Sequence, residues 1–123
     1  MYLLNMKLMQ EYAKKYNPAI PLEKRSVHTI QGWGGVLILW EAMKRADKAG
    51  DLSGESILKN GFETMTNFDI GLGAAPVTFT ATDHRVGGVV PIYEVKDGKF
   101  QIVEKVDLKS RWPEKWTNEW LGW

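Results

Sequence analysis

Along the first sixteen residues, apolar positions recur at three- and four-residue spacing. Met6, Met9, Tyr12, Ala13 and Tyr16 alternate with Lys7, Gln10, Glu11, Lys14 and Lys15, which predicts an amphipathic helix over Tyr2 to Tyr16. Asn17-Pro18 ends it, because the residue before proline is forced out of the helical region, and Pro21 extends the break. After a polar connector, Glu23 to Ser26, a second helix is expected to begin near Gln31 to Trp33 and to stop at Ala49-Gly50. Its first half carries apolar residues all round the axis (Trp33, Val36, Leu37, Ile38, Leu39 and Trp40), the pattern of a helix buried on most sides. Gly34 and Gly35 are poor helix formers, each costing roughly 1 kcal/mol against alanine, so their presence predicts close approach of another backbone or of a ligand.

Ser53 is placed to cap a third helix, Gly54 to about Met65, with Ile57, Leu58, Phe62 and Met65 inward. The glycine-marked loop Asp69 to Gly73 leads to Pro76-Val77-Thr78-Phe79-Thr80, whose alternation predicts a strand, and Thr82 to Arg85 reads as a turn. Val89 to Val95 and Phe100 to Val106 flank Asp97-Gly98, a pair suited to a two-residue type I′ turn. In that register Val95 opposes Phe100, Tyr93 opposes Ile102 and Glu94 opposes Gln101, so one face of the hairpin is apolar. In the tail, Trp112, Trp116, Trp120 and Trp123 recur at helical spacing, with Pro113 where a first turn tolerates it. That stripe either docks on its own domain or marks an interface.

Composition narrows the chemistry. At 123 residues, 44% hydrophobic and 25% charged, the chain is expected to be one globular domain. A net charge of +1 without a basic run argues against a nucleic-acid partner. The absence of cysteine removes thiolate nucleophiles, disulfides and Cys-based zinc sites. The first seven residues lack the basic and apolar regions of a signal peptide, and the apolar run around Val36 to Trp40 is far shorter than a membrane span. Asp83-His84-Arg85 holds acid–base residue types, but neighbours in sequence rarely converge on one substrate, and a turn is the expected role. His28 and His84 have no metal-ligand spacing, and Gly71-x-Gly73 precedes a strand and not the helix a phosphate loop needs. No catalytic group, metal or cofactor is assigned.

Three ordered segments resemble a known family. Gln31-Gly32-Trp33 with Glu41-Ala42-Met43-Lys44-Arg45-Ala46, then Ala75 to Arg85, then Ile92 to Phe100 are similar to the last third of type I periplasmic solute-binding proteins, the branched-chain amino acid (Leu/Ile/Val-binding) group of ABC transporters. The resemblance runs from about Leu4 to Val106. It implies an α/β chain that is part of a two-lobed fold, with three to four helices, a strand and a hairpin. Residues 1–75 would form a helical part of the first lobe, 76–106 the last crossing strand and a hairpin on the second lobe, and 107–123 a tryptophan-rich tail. It also implies a cleft-lining aromatic at Trp33, beside Gly32 and Gly34, for an amino acid or small carboxylate. An ABC permease would be the partner of the intact protein, and its place would be periplasmic or extracytoplasmic. A two-lobed member is much longer than this chain, so a truncated form without tight ligand binding is expected. Apolar faces left bare would favour homo-oligomers.

Overall fold

A computed structural model describes residues 4–120; Tyr2, Leu3 and Trp123, which entered the expectations above, lie outside them. The chain is a mixture of helix and strand, divided into two compact units, Met1–His84 and Arg85–Trp123. The first unit opens with α1 (Leu4–Tyr16), which buries Met9 and half-buries Met6 and Ala13. Beyond Asn17 the chain is held by Arg25, whose guanidinium donates to the carbonyls of Ala13, Asn17 and Ile20. A single 3-10 turn, Leu22–Lys24, leads into α2 (Val27–Lys48).

Helix α2 starts about four residues before the expected Gln31. Ser26 occupies the N-cap with extended backbone angles, although its hydroxyl makes no capping bond, and the Ser26 carbonyl accepts from the Thr29 amide. Gly50 ends the helix as expected, with φ of 85°. The expectation of a helix buried on most sides is corrected. Only Gly34, Ala42 and Ala46 are fully buried, while Val36 is 63% exposed and Trp40 is 59% exposed.

The third helical segment is not the regular helix its pattern suggests. Ser53 caps it, its Oγ accepting from the Ser56 amide, but α3 itself is a single turn, Gly54–Ser56. The chain then widens to π geometry over Ile57–Gly61 and tightens to a 3-10 turn over Phe62–Thr64. Gly61, at the end of the π turn, packs directly on α2. A Cβ there would fall 2.5 Å from the Ala42 carbonyl oxygen, so the segment meets the α2 backbone without an intervening side chain. Ile57, Phe62 and Met65 turn inward, but Leu58 is exposed.

The core of this unit joins Ala42, Met65, Ile70, Val77 and Phe79, with Ile38, Ile57, Phe62, Phe68 and Leu72 packed round them. Phe62 meets Phe79 edge to face at 5.8 Å. Val77 and Phe79 do point inward as alternation implies. They do not form the expected strand: among the described residues their backbone pairing is one bridge, Phe68 to Val77, and a single bond from the Phe79 amide to the Met65 carbonyl. A second bridge, Thr80 to Asp83, closes the turn, where Thr80 Oγ1 accepts from the amides of Thr82 and Asp83.

The second unit is built on an antiparallel hairpin, β1 (Val89–Lys96) and β2 (Lys99–Asp107). Val95 pairs with Phe100, Glu94 with Gln101 and Tyr93 with Ile102, the register expected from sequence, and Asp97 and Gly98 both take positive φ. A bulge between Ile92 and Tyr93 then shifts the ladder so that Ile92 opposes Glu104. Two short helices follow, α4 (Leu108–Arg111) and α5 (Pro113–Asn118), the first capped by Asp107. The tail is therefore not one helix. Trp112, with φ of −138°, separates the two turns. Among the described residues no helix is long and apolar enough to cross a membrane.

Candidate functional site

The expected ligand residues sit on α2 where α1 crosses its amino-terminal half. Trp33 is half-buried, and its ring lies 5.9 Å from that of Tyr12, which in turn stacks on Tyr16 at 5.5 Å. Its indole Nε1 is shielded from solvent and has no hydrogen-bond partner among the described residues. An unmet indole donor in a shielded place opposes burial, so packing of the ring, and not a polar contact, holds Trp33 here.

The glycines around Trp33 divide by role. Gly34 is buried, and a Cβ on it would stand 3.5 Å from the methyl ends of Ile70 and Leu72, an ordinary contact. The close approach of a backbone expected at Gly34 and Gly35 is thus not found: Gly34 meets only two side chains of the glycine loop at ordinary distance, and Gly32 and Gly35 face open space. The loop itself is fixed to α1. Asn5 Nδ2 donates to the Ile70 carbonyl at 2.7 Å, Asp69 Oδ1 accepts from the Gly71 amide at 2.7 Å, and Gly71 takes φ of 67°. A side chain at Gly71 would meet Asn5 at 2.9 Å. Gly71 serves the approach of the loop to α1, and Gly73 supplies a further positive φ of 81°, as in a connector.

Beside Trp33 in sequence, but facing α1, a groove of about 130 Å³ is lined by Met6, Met9, Gln10, Leu22, Arg25, Ser26, Thr29 and Ile30. Arg25 belongs to its wall; its Nη2 donates to three backbone carbonyls and closes the α1 turn, while its buried Nε has no partner among the described residues. A second groove, about 250 Å³, lies on the outer side of α2 between Trp40, Met43, Lys44, Asp47 and Leu52. Trp33 lines neither.

The residue types that could have carried acid–base work are engaged in structure. His84 Nε2 lies 3.1 Å from Glu63 Oε1, and His28 Nδ1 lies 2.8 Å from Gln31 Oε1. Arg85 donates from Nη1 to the carbonyls of Trp116 and Trp120 at 2.6 and 2.7 Å and stacks on the Trp116 ring at 4.1 Å. Lys109 approaches the same ring and Arg111 that of Trp112, while Trp112 and Trp120 meet edge to face at 5.9 Å. These contacts dock the tail within its own unit. Among the described residues no three His, Cys, Asp or Glu side chains gather as a metal site.

Three carboxylates have pKa values below their ordinary range. Hydrogen bonding to Lys44 is the largest cause for Glu41, burial opposes it, and Arg45 adds to the lowering. The Ser53 amide and hydroxyl lower Asp51, and the Ser110 hydroxyl and amide lower Asp107. All three hold helix ends or helix-surface pairs, so their shifts report local structure. Sequence reasoning missed Gly61 and Arg45. The first is signalled by glycine after Asn60 inside an apolar-periodic segment. The second, which donates to the Thr64 carbonyl at 2.7 Å, has no signal in its spacing.

Comparison with protein-family models, with curated proteins and with solved structures returns no match.

Proposed function

We propose that this chain is a non-enzymatic portion of a solute-binding protein of the type I periplasmic class, whose intact form captures an amino acid or related small carboxylate for an ABC permease outside the cytoplasm. The reading rests on the three ordered sequence segments from Gln31 to Phe100. The observation that bears on mechanism is the position of Trp33, which packs on Tyr12 on one side of α2, with Gly32 open to solvent. A ligand held there would touch an aromatic edge on one side alone. Tight capture of a small zwitterion needs a cleft that excludes water and offers partners to both charged ends. On this reading Trp33 and the exposed Gly32 contribute to one wall of a site whose charged-group partners come from elsewhere, while Gly34, expected beside them, is buried against Ile70 and Leu72 and is not open to a ligand. Titration calorimetry of this chain with leucine, valine and aromatic carboxylates is expected to give no heat of saturable binding below about 1 mM, a range where one-sided contacts fall. Saturable one-to-one binding at micromolar ligand would refute the reading.

A second reading is favoured by a specific observation. Large apolar side chains are bare on α2 (Val36, Leu39 and Trp40) and on the hairpin (Tyr93, Val95, Phe100 and Ile102), with Phe100 78% exposed. Surfaces of this kind mark association. In this reading the 123-residue chain is a self-associating module.

A further inference from the structure

We propose that the Asp97-Gly98 turn is a modification site, where the aspartate converts spontaneously to isoaspartate in the folded chain, while the Asn60-Gly61 pair is protected from the same chemistry by its packing.

These are the chain's single Asp-Gly and single Asn-Gly pairs, and both can close a succinimide. The backbone nitrogen of the glycine attacks the side-chain carbonyl carbon of the residue before it and forms a five-membered ring. At an aspartate the amide proton and the carboxyl hydroxyl leave together as water; at an asparagine the amide proton and the side-chain amino group leave as ammonia. Water then opens the ring. Opening at the backbone carbonyl routes the chain through the side-chain carbon, with one extra methylene in the backbone and a free α-carboxylate. Glycine suits this step because no Cβ crowds its nitrogen. In an unfolded chain the Asn-Gly pair reacts first, since a neutral amide does not repel the attacking nitrogen as an ionised carboxylate does at neutral pH.

Folding reverses that order. Gly61 is buried in the π turn Ile57–Gly61, which the Phe62 amide closes on the Ile57 carbonyl, and a Cβ on Gly61 would stand 2.5 Å from the Ala42 carbonyl oxygen. Asn60 Nδ2 donates to the buried Ser56 hydroxyl at 3.0 Å, and the Asn60 carbonyl accepts from Thr64 Oγ1 at 2.9 Å. Turning the Gly61 nitrogen toward the Asn60 side chain therefore requires this segment to part from α2. Folded domains visit such opened states in only about 10⁻³ to 10⁻⁶ of molecules.

Nothing comparable holds the other turn. Asp97 and Gly98 are exposed, and a Cβ on Gly98 would meet nothing within 4 Å. The Asp97 carboxylate makes no hydrogen bond or ion pair among the described residues. Asp97 takes φ of 51°, a region that residues with side chains enter at a cost. The turn joins a sheet of two strands, and its last pair sets Lys96 opposite Lys99, like charges that repel. Opening the tip costs only that pair, so the reactive geometry is reached without unfolding. The product lengthens a two-residue loop, and the Val95–Phe100 register beyond it is lost.

Asp97→Asn supplies the test, because it places two Asn-Gly pairs of equal chemistry in one chain and keeps a sequence suited to the type I′ turn. Circular dichroism confirms that the variant folds. After incubation near neutral pH, peptide mass spectrometry should show position 97 of D97N deamidating at least about a hundredfold faster than Asn60, and the two rates should converge in urea. In the parent chain, incubation in heavy-oxygen water should place label and isoaspartate at Asp97, the latter read by fragmentation across the extra backbone methylene. Equal rates at the two positions of folded D97N overturn the proposal. So does a parent chain that forms no isoaspartate at Asp97, or one in which Asn60 reacts first while folded.

Discussion

At the scale of single residues, Trp33 separates packing from ligand chemistry. Because its Nε1 has no partner and its ring rests on Tyr12, Trp33→Phe keeps the apolar contact and removes an unmet donor. Chemical denaturation should therefore show a stability change within about 1 kcal/mol of zero. A loss of several kcal/mol would mean that the indole nitrogen is bonded in solution. Glu41 gives a second residue-scale expectation. Its carboxyl is held below the ordinary range by Lys44 and Arg45, so the folded state binds the proton less readily than the unfolded chain. The stability this contributes is present above the unfolded pKa and is lost as pH falls through the lower folded value. Acid titration of the melting temperature should fall less steeply in Glu41→Gln than in the parent chain. Identical acid limbs would show that the Glu41 pairs carry no net stability.

At the scale of elements, two glycines that look alike in sequence should behave in opposite ways. Gly35 faces open space in the middle of α2, so Gly35→Ala is expected to stabilise the chain by up to about 1 kcal/mol. Gly61→Ala drives a methyl group against the Ala42 backbone and is expected to cost about 1–3 kcal/mol or more, because neither backbone can yield like a side-chain end. Paired urea denaturation curves check both, and equal effects would contradict the close crossing of α2 and the π segment. The same contrast explains what sequence could tell. The hairpin was readable residue by residue, since turn chemistry at Asp97-Gly98 and cross-strand pairing are local. The bulge at Ile92/Tyr93, the π turn at Ile57–Gly61 and the failure of Val77 to Phe79 to become a strand are not local. Each depends on what lies across from the segment. Likewise the apolar ring of α2 was legible as hydrophobic, but which parts are covered depends on the elements that reach it. These leave Val36, Leu39 and Trp40 bare.

For the whole molecule, an α/β chain in two compact units leaves large apolar side chains exposed on α2 and on the hairpin. At the candidate site, Trp33 was legible as an aromatic in a glycine-rich setting, whereas what stands opposite it was not, because a cleft is a property of segments that oppose each other. On the proposed function, both features belong to a portion of a larger two-lobed binding protein. The most direct test of that account is the nucleotide sequence immediately upstream of the coding region. The account predicts an in-frame coding sequence that supplies the opposing lobe and an export signal. A separate promoter and an in-frame stop codon directly before Met1 would contradict it.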